Sequence, residues 1–176
     1  MNTVKKIVVL GGESTGKSTL CEQLAHQYNT VWVREFARTY LEHLGRDYVQ
    51  DDLLTIAEGQ IASEEEQVKK ACDFLFCDTD LHVIKVWSEY KYSHVDEVIQ
   101  EIIQSRSYDA YILTSPDFPW QEDPLREHPE PALRSYFFNL YHALIRKTGL
   151  PYCIVKGNEE DRMKTATTWI DSLYPI

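Results

Sequence analysis

The sequence predicts a three-layer α/β fold, with helices covering both faces of a five-stranded parallel sheet. Three observations predict it. Five short runs are apolar at nearly every position and rich in β-branched or aromatic residues, as strands buried on both faces must be. Helix-length stretches separate each run from the next, which is the spacing of βα crossover units. The chain has 176 residues, of which 43% are hydrophobic and 26% charged, the composition of one globular domain with a core of its own.

The elements follow in order. Ile7 to Leu10 is a short buried strand that ends in glycines. Leu20 to Tyr28 is helical, and Val31 to Val33 is a second strand. Phe36 to Leu44 and Leu53 to Ala71 are helices, the second long and acidic on one face. Phe74 to Cys77 is a third strand, followed by helices over Leu81 to Glu89 and Val95 to Ser105. Tyr111 to Leu113 and Tyr152 to Val155 are the fourth and fifth strands, with helices at Leu133 to Thr148 and Arg162 to Leu173. Pro116 to Pro131 breaks the pattern, with five prolines in sixteen residues. It suits neither a regular helix nor a central strand, and it reads as a binding loop or lid over about 116–135.

Composition narrows the function classes. A formal net charge of -10, with no Lys/Arg block, argues against a nucleic-acid backbone as partner. No apolar run approaches the ~20 residues that cross a bilayer. Met1 to Lys6 lead directly into a strand rather than a signal-peptide core. Cys21, Cys72, Cys77 and Cys153 form no C-x-x-C pair and read as reduced core residues, so the expected compartment is the cytoplasm. Glu64-Glu65-Glu66 reads as a solvated helix face, Trp32 and Trp87 as core, and the scattered histidines take no assigned role.

In open parallel sheets ligands bind beyond the carboxyl ends of the strands. There the first strand runs into Gly11-Gly12-Glu13-Ser14-Thr15-Gly16-Lys17-Ser18, which matches G-x-x-x-x-G-K-[ST] in strand–loop–helix context. Glycines allow the tight turn and let backbone N–H groups curl around an anion, at a helix N-terminus that carries partial positive charge. Gly11, Glu13, Ser14, Thr15, Gly16, Lys17, Ser18 and Thr19 are therefore candidate nucleotide-binding residues. Lys17 reaches the β- and γ-phosphates, and Ser18 ligates Mg²⁺. Such a loop marks a P-loop protein that binds a nucleotide with Mg²⁺.

Asp78 ends the third apolar run, where a P-loop protein places the acid that holds Mg²⁺ directly or through water. Asp80 follows two residues later as a candidate substrate-binding group, and either aspartate also suits the N-cap of the next helix. After the second strand comes Arg34-Glu35-Phe36-Ala37-Arg38. Glu35 is placed to take a proton from an acceptor hydroxyl. Arg34 and Arg38 share one face if the helix has begun there; the alternative is a helix start with surface charges. Arg126 and Arg134 flank the proline-rich segment. An arginine on a mobile lid closes over phosphates and stabilises a transition state, unless acidic neighbours such as Glu122, Asp123 and Glu127 hold it at the surface. On the same loop, Asp117 and Trp120 are candidate acceptor contacts, Trp120 by stacking or by anchoring the loop. Asn158 and Arg162 follow the fifth strand, where adenine normally lies in a P-loop fold.

The blocks Gly11 to Ser18, Arg34 to Arg38, Asp78-Thr79-Asp80 and Pro119-Trp120…Asp123-Pro124-Leu125-Arg126 together resemble the ribosylnicotinamide kinase domain of NadR-type proteins, an AAA-type ATP-binding domain. The resemblance runs through essentially the whole chain in order. It implies a nucleoside/nucleotide-kinase-like fold with strand order 2-3-1-4-5 and a single domain over 1–176. It implies ATP as the nucleotide, with Mg²⁺, and transfer of the ATP γ-phosphate to the 5′-hydroxyl of nicotinamide riboside, giving nicotinamide mononucleotide. By position, Lys17 and Ser18 become the phosphate and Mg²⁺ groups, Asp78 the acid after strand three and Arg126 the lid arginine. NadR-type proteins often carry an adenylyltransferase domain as well, and some a helix-turn-helix; the length and the lack of an H-x-G-H motif predict neither here. Two other readings stay open: a kinase for a different nucleoside or nucleotide, and a P-loop ATPase or switch that binds partners. Against a GTPase-type switch, no N-K-x-D base-reading motif occurs.

Overall fold

The computed structural model describes residues 3–175; Met1, Asn2 and Ile176, which the single-domain reading includes, lie outside the described residues. The strands are β1 (Lys5–Leu10), β2 (Trp32–Val33), β3 (Phe74–Asp78), β4 (Ala110–Thr114) and β5 (Tyr152–Val155). The helices are α1 (Lys17–Gln27), α2 (Phe36–Leu44), α3 (Gln50–Gln67), α4 (Leu81–Tyr92), α5 (Glu97–Ser105), α6 (Pro131–Thr148) and α7 (Glu159–Leu173). The sheet runs β2-β3-β1-β4-β5 with every pair parallel, as the resemblance implies.

Side chains alternate faces along a strand, so each central strand feeds two cores. Ile7, Val9, Phe74, Phe76 and Ile112 point to α1 and α7, meeting Leu20, Leu24, Ala166 and Ile170. Val8, Leu10, Leu75, Tyr111 and Leu113 point the other way, to Val83 and Val86 of α4 and Phe137, Tyr141 and Ile145 of α6. Each fully buried Ile, Leu or Phe contributes roughly 1.5–3 kcal/mol. A third cluster joins α2, α3, α4 and α5 through Ala37, Leu53, Ile56, Leu81 and Ile99. This outlying group forms the wall on the β2 side of the site.

Several boundaries move for identifiable reasons. α3 begins at Gln50, ahead of its first apolar residue, because Asp52 accepts from the Val49 N–H at 2.7 Å and caps the helix. The same carboxylate receives two bonds from Arg46 and one from the Tyr40 hydroxyl, fixing the 45–49 loop. The proline-rich segment is irregular only to Glu130. Pro131 opens α6, since the first helical position needs no N–H, so the last five residues of the segment at 116–135 are helical. α2 starts at Phe36, which leaves Arg34 outside it; the Arg34 guanidinium lies 5.1 Å from the Trp32 ring centroid.

The acidic run is not a solvated face throughout. Consecutive helical residues point about 100° apart, and Glu64 continues the inward stripe Leu53, Ile56, Ala57, Gln60. It is buried and accepts from Arg106 at 2.8 Å and from the Tyr108 hydroxyl at 2.9 Å. Of the cysteines, Cys21 and Cys77 are buried, Cys153 is half-buried and Cys72 is exposed, so the last is no core residue; all four are free thiols. Among the described residues no helix is long and apolar enough to cross a membrane.

Candidate active site

β1 delivers the chain into the phosphate loop, and two glycines make the turn possible. A Cβ on Gly11 would collide with the Thr114 hydroxyl, so the loop packs against the end of β4. Gly16, the N-cap of α1, sits at φ 76°, in the left-handed region that glycine enters without strain. The Thr15 hydroxyl bonds to Gly12 O at 2.8 Å and to the Thr114 hydroxyl at 2.7 Å. Lys17 Nζ donates to Gly12 O at 2.9 Å, which leaves two donors facing the cavity.

Below the loop, the Ser18 hydroxyl donates to Asp78 Oδ2 at 2.5 Å, while Asp78 Oδ1 is buried with no partner. Burial pushes the Asp78 carboxyl well above the usual range. The nearby Glu35 carboxylate pushes it further, and Lys17 and Ser18 offset part of the rise. An orphaned carboxylate oxygen beside a hydroxyl and a second carboxylate suits a hard cation. Among the described residues no group of three or more His, Cys, Asp or Glu gathers as a metal cage. The donor set therefore fits Mg²⁺, which takes one or two protein ligands and fills its other positions from phosphate and water.

A cavity of about 490 Å³ opens on this loop. Gly11, Glu13, Ser14, Thr15, Gly16, Lys17, Ser18, Thr19, Glu35, Arg38, Arg126 and Arg134 all line it, and Asp78 lies beneath Ser18. Glu35 occupies the N-cap of α2, yet among the described residues its side chain makes no capping bond, and it lines the cavity. Arg38 pairs with Glu42 at 3.1 Å and with Asp123 of the 115–130 loop at 2.8 Å. Arg126 Nη1 donates to Gln121 O at 2.5 Å. Arg134 Nη2 donates to Ser14 O and Phe118 O, clamping the loop to the phosphate loop.

Five expected site residues stand outside this cavity. Asp80 turns away, buried as the N-cap of α4. It accepts from His82 N at 2.9 Å, His82 Nδ1 at 2.7 Å and the Tyr111 hydroxyl at 2.9 Å, on the wall of a separate cavity of about 560 Å³. Asn158 caps α7 through Asp161 N. Arg162 is buried and its guanidinium is committed: Nε to Gly157 O, Nη1 to Thr15 O at 2.6 Å, and Nη2 to Ser115 O and Asp117 Oδ1 at 2.6 Å. Arg162 and Asp117 thus brace the phosphate loop against α7, with four of the five guanidinium N–H donors spent in doing so. Trp120 packs beside Arg134, 5.7 Å from guanidinium to ring centroid, and anchors the loop.

The aromatic surface of the cavity comes from elsewhere. Tyr48, Trp87, Tyr90, Phe118, Phe137 and Tyr141 line it; Trp87, half-buried against two of the core clusters, also presents an edge to the cavity. Tyr48 and Trp87 lie 6.2 Å apart at 33°, and Lys91 Nζ sits 3.5 Å from the Tyr48 ring centroid. His128 packs between Tyr90 and Phe137, with centroids 5.3 and 5.0 Å away. No contiguous motif marks these residues. The helical spacing of Val83, Trp87 and Tyr90–Lys91 along α4 is the one local signal that joins them.

A family model described as an AAA domain matches residues 6–162. The trifunctional NAD biosynthesis/regulator protein NadR of Escherichia coli (strain K12) is 32% identical over 162 residues, and that of Salmonella typhimurium 31%. The match covers 90% of this chain and 39% or 40% of theirs, so the chain spans about two-fifths of the length of these curated relatives. A crystal structure of a NadR protein in complex with NR superposes with a TM-score of 0.86 at 22% identity, over 99% of this chain and 52% of that one. A NadR protein in complex with NAD and AMP-PNP gives 0.80 at 21%, over 99% of this chain and 50% of that one. Deoxyadenosine kinase from M. mycoides with bound dCTP gives 0.61 at 14%, over 95% of this chain and 99% of that one.

Proposed function

The chain belongs to the AAA domain family, and on that premise we propose that it is an ATP-dependent kinase that phosphorylates the 5′-hydroxyl of nicotinamide riboside. One observation carries the proposal: a phosphate loop with its lysine, hydroxyl and buried carboxylate opens into the same cavity as the Glu35 carboxylate and an aromatic wall. The likeness to a NadR protein in complex with NR supports the choice of acceptor.

Phosphoryl transfer asks mainly for positioning and charge neutralisation. The loop amides and Lys17 cradle the β- and γ-phosphates. Ser18 and Asp78 would hold Mg²⁺, which supplies charge neutralisation between the phosphates. Glu35, at the mouth of α2, orients the acceptor hydroxyl and takes its proton. Arg126, on the lid, faces the transferred group, and Arg38 ties that lid to the acceptor side through Asp123. The cationic nicotinamide ring lies against Trp87, since the Lys91 ammonium already sits 3.5 Å from the Tyr48 ring centroid, and Glu35 and Glu127 line the same cavity. Trp120 is replaced in that role because it faces Arg134 instead.

The test is ADP release and product formation by the purified protein with nicotinamide riboside, deoxyadenosine and uridine as acceptors. Nicotinamide riboside is expected to give the highest kcat/KM. A cation against an indole face gains about 0.5–2 kcal/mol, so Trp87→Ala is expected to narrow its advantage over uridine by roughly 2–30-fold. Better turnover of deoxyadenosine would move the reading to a general nucleoside kinase. ATP hydrolysis with no acceptor dependence would move it to an ATPase or switch.

A further inference from the structure

A carboxylate on a phosphate-binding loop is electrostatically out of place, and Glu13 is one. Its surroundings explain it. Glu13 Oε2 accepts the backbone N–H of Glu127 at 3.0 Å and of His128 at 3.1 Å. The next residue, Ser14, repeats the pattern at the other end of the lid: its hydroxyl accepts from Gln121 N at 2.9 Å and donates to Pro119 O at 3.3 Å. Two adjacent loop residues thus grip the lid on both sides of Arg126. Within the lid, Arg126 N donates to Asp123 O at 3.0 Å and Leu125 N to Asp123 Oδ1 at 3.0 Å, so the turn that carries Arg126 is rigid between the two grips.

We infer that Glu13 is a positioning residue: it binds lid backbone rather than phosphate and fixes the place of Arg126 over the transferred group. The inference deepens the kinase reading above and rests on Arg126 serving as the lid arginine. Geometry makes Glu13 the closer of the two grips, since its partners are the two residues immediately after Arg126. Electrostatics agree. Burial raises the Glu13 carboxyl, and the two lid amides, with His128 and Lys17, offset part of that rise by favouring the charged form.

The test combines two variants and two readouts. In amide hydrogen exchange with the full chain and an ATP analogue, Glu13→Ala is expected to speed exchange at Glu127 and His128 by about tenfold or more. Glu13→Gln, whose carboxamide oxygen still accepts, is expected to keep most of the protection. In steady-state kinetics with nicotinamide riboside, Glu13→Ala is expected to lower kcat by roughly 10–100-fold, a loss typical of misplacing a catalytic group by about 1 Å. KM for ATP should hold or fall, because a negative charge near the phosphates is gone. In an Arg126→Ala background the same change is expected to cost little more, as non-additivity requires of residues that act as a unit. Unchanged exchange at 127 and 128, or fully additive rate losses, overturns the inference. Failure of the wild-type protein to phosphorylate nicotinamide riboside would instead overturn the proposed function, and the exchange experiment would still decide the latch.

Discussion

Lys17→Ala is expected to lower kcat/KM for phosphoryl transfer by at least 10²–10³-fold, the order seen when one preorganised charge or donor is removed from a developing anion. The expectation is sharp because Lys17 holds little else. Its one hydrogen bond in the structure runs to Gly12 O, so the melting temperature should barely move. The measurement is ADP release against ATP and acceptor concentration, with thermal unfolding in parallel. Turnover near the wild-type rate would remove the phosphate loop from the chemistry and with it the kinase reading.

Asp78→Asn is expected to separate activity from stability in the opposite sense to most core substitutions. The carboxylate is buried, one oxygen lacks a partner, and its acid is pushed up by burial and by Glu35. A group whose folded pKa lies above its unfolded value contributes stability below the unfolded pKa and loses it as pH rises through the folded one. At neutral pH the charged form therefore burdens the fold, and a neutral isostere relieves it. The expected result is a melting temperature equal to or above wild type together with a fall in kcat of about 100-fold or more and a higher Mg²⁺ requirement. A lower melting temperature with activity intact would make Asp78 structural and leave Glu35 as the acid that matters.

The two experiments probe the half of the site that is contiguous in sequence, and that half was the legible one. Gly11 to Ser18 is a complete motif, and the apolar run before Asp78 announces where that acid stands. The strands were legible because Phe74 to Cys77 and Ala110 to Leu113 are apolar on both faces, which few other structures tolerate. Their order was legible only through the family resemblance, because β1 finds its neighbours β3 and β4 through tertiary packing that no local pattern encodes. The acceptor wall was missed for the same reason. Tyr48 lies on a loop held by Asp52 and Arg46, and Trp87 packs against two hydrophobic clusters at once, so neither carries a mark of exposure to a cavity. Trp120 and Arg162 show the converse error. An aromatic on a lid or an arginine after a strand looks available to a ligand, until the fold buries Arg162, spends four of its five N–H donors on carbonyls and Asp117, and sets Trp120 beside Arg134.

The central position of β1 has a consequence for how the chain is made. Lys5 pairs with Phe74 and Ile7 with Ala110, so β1 leaves the ribosome with both its partners encoded far downstream. At about 5–20 residues per second, Ile7 to Leu10 wait roughly 5–20 s for β4 to be synthesised, with four apolar side chains uncovered. Gly11 can close against Thr114 only after that. A nascent chain arrested between β3 and β4 is therefore expected to pair β1 on one side only, to bind no nucleotide analogue and to be a client for holding chaperones, whereas one arrested beyond α7 should bind the analogue while still tethered.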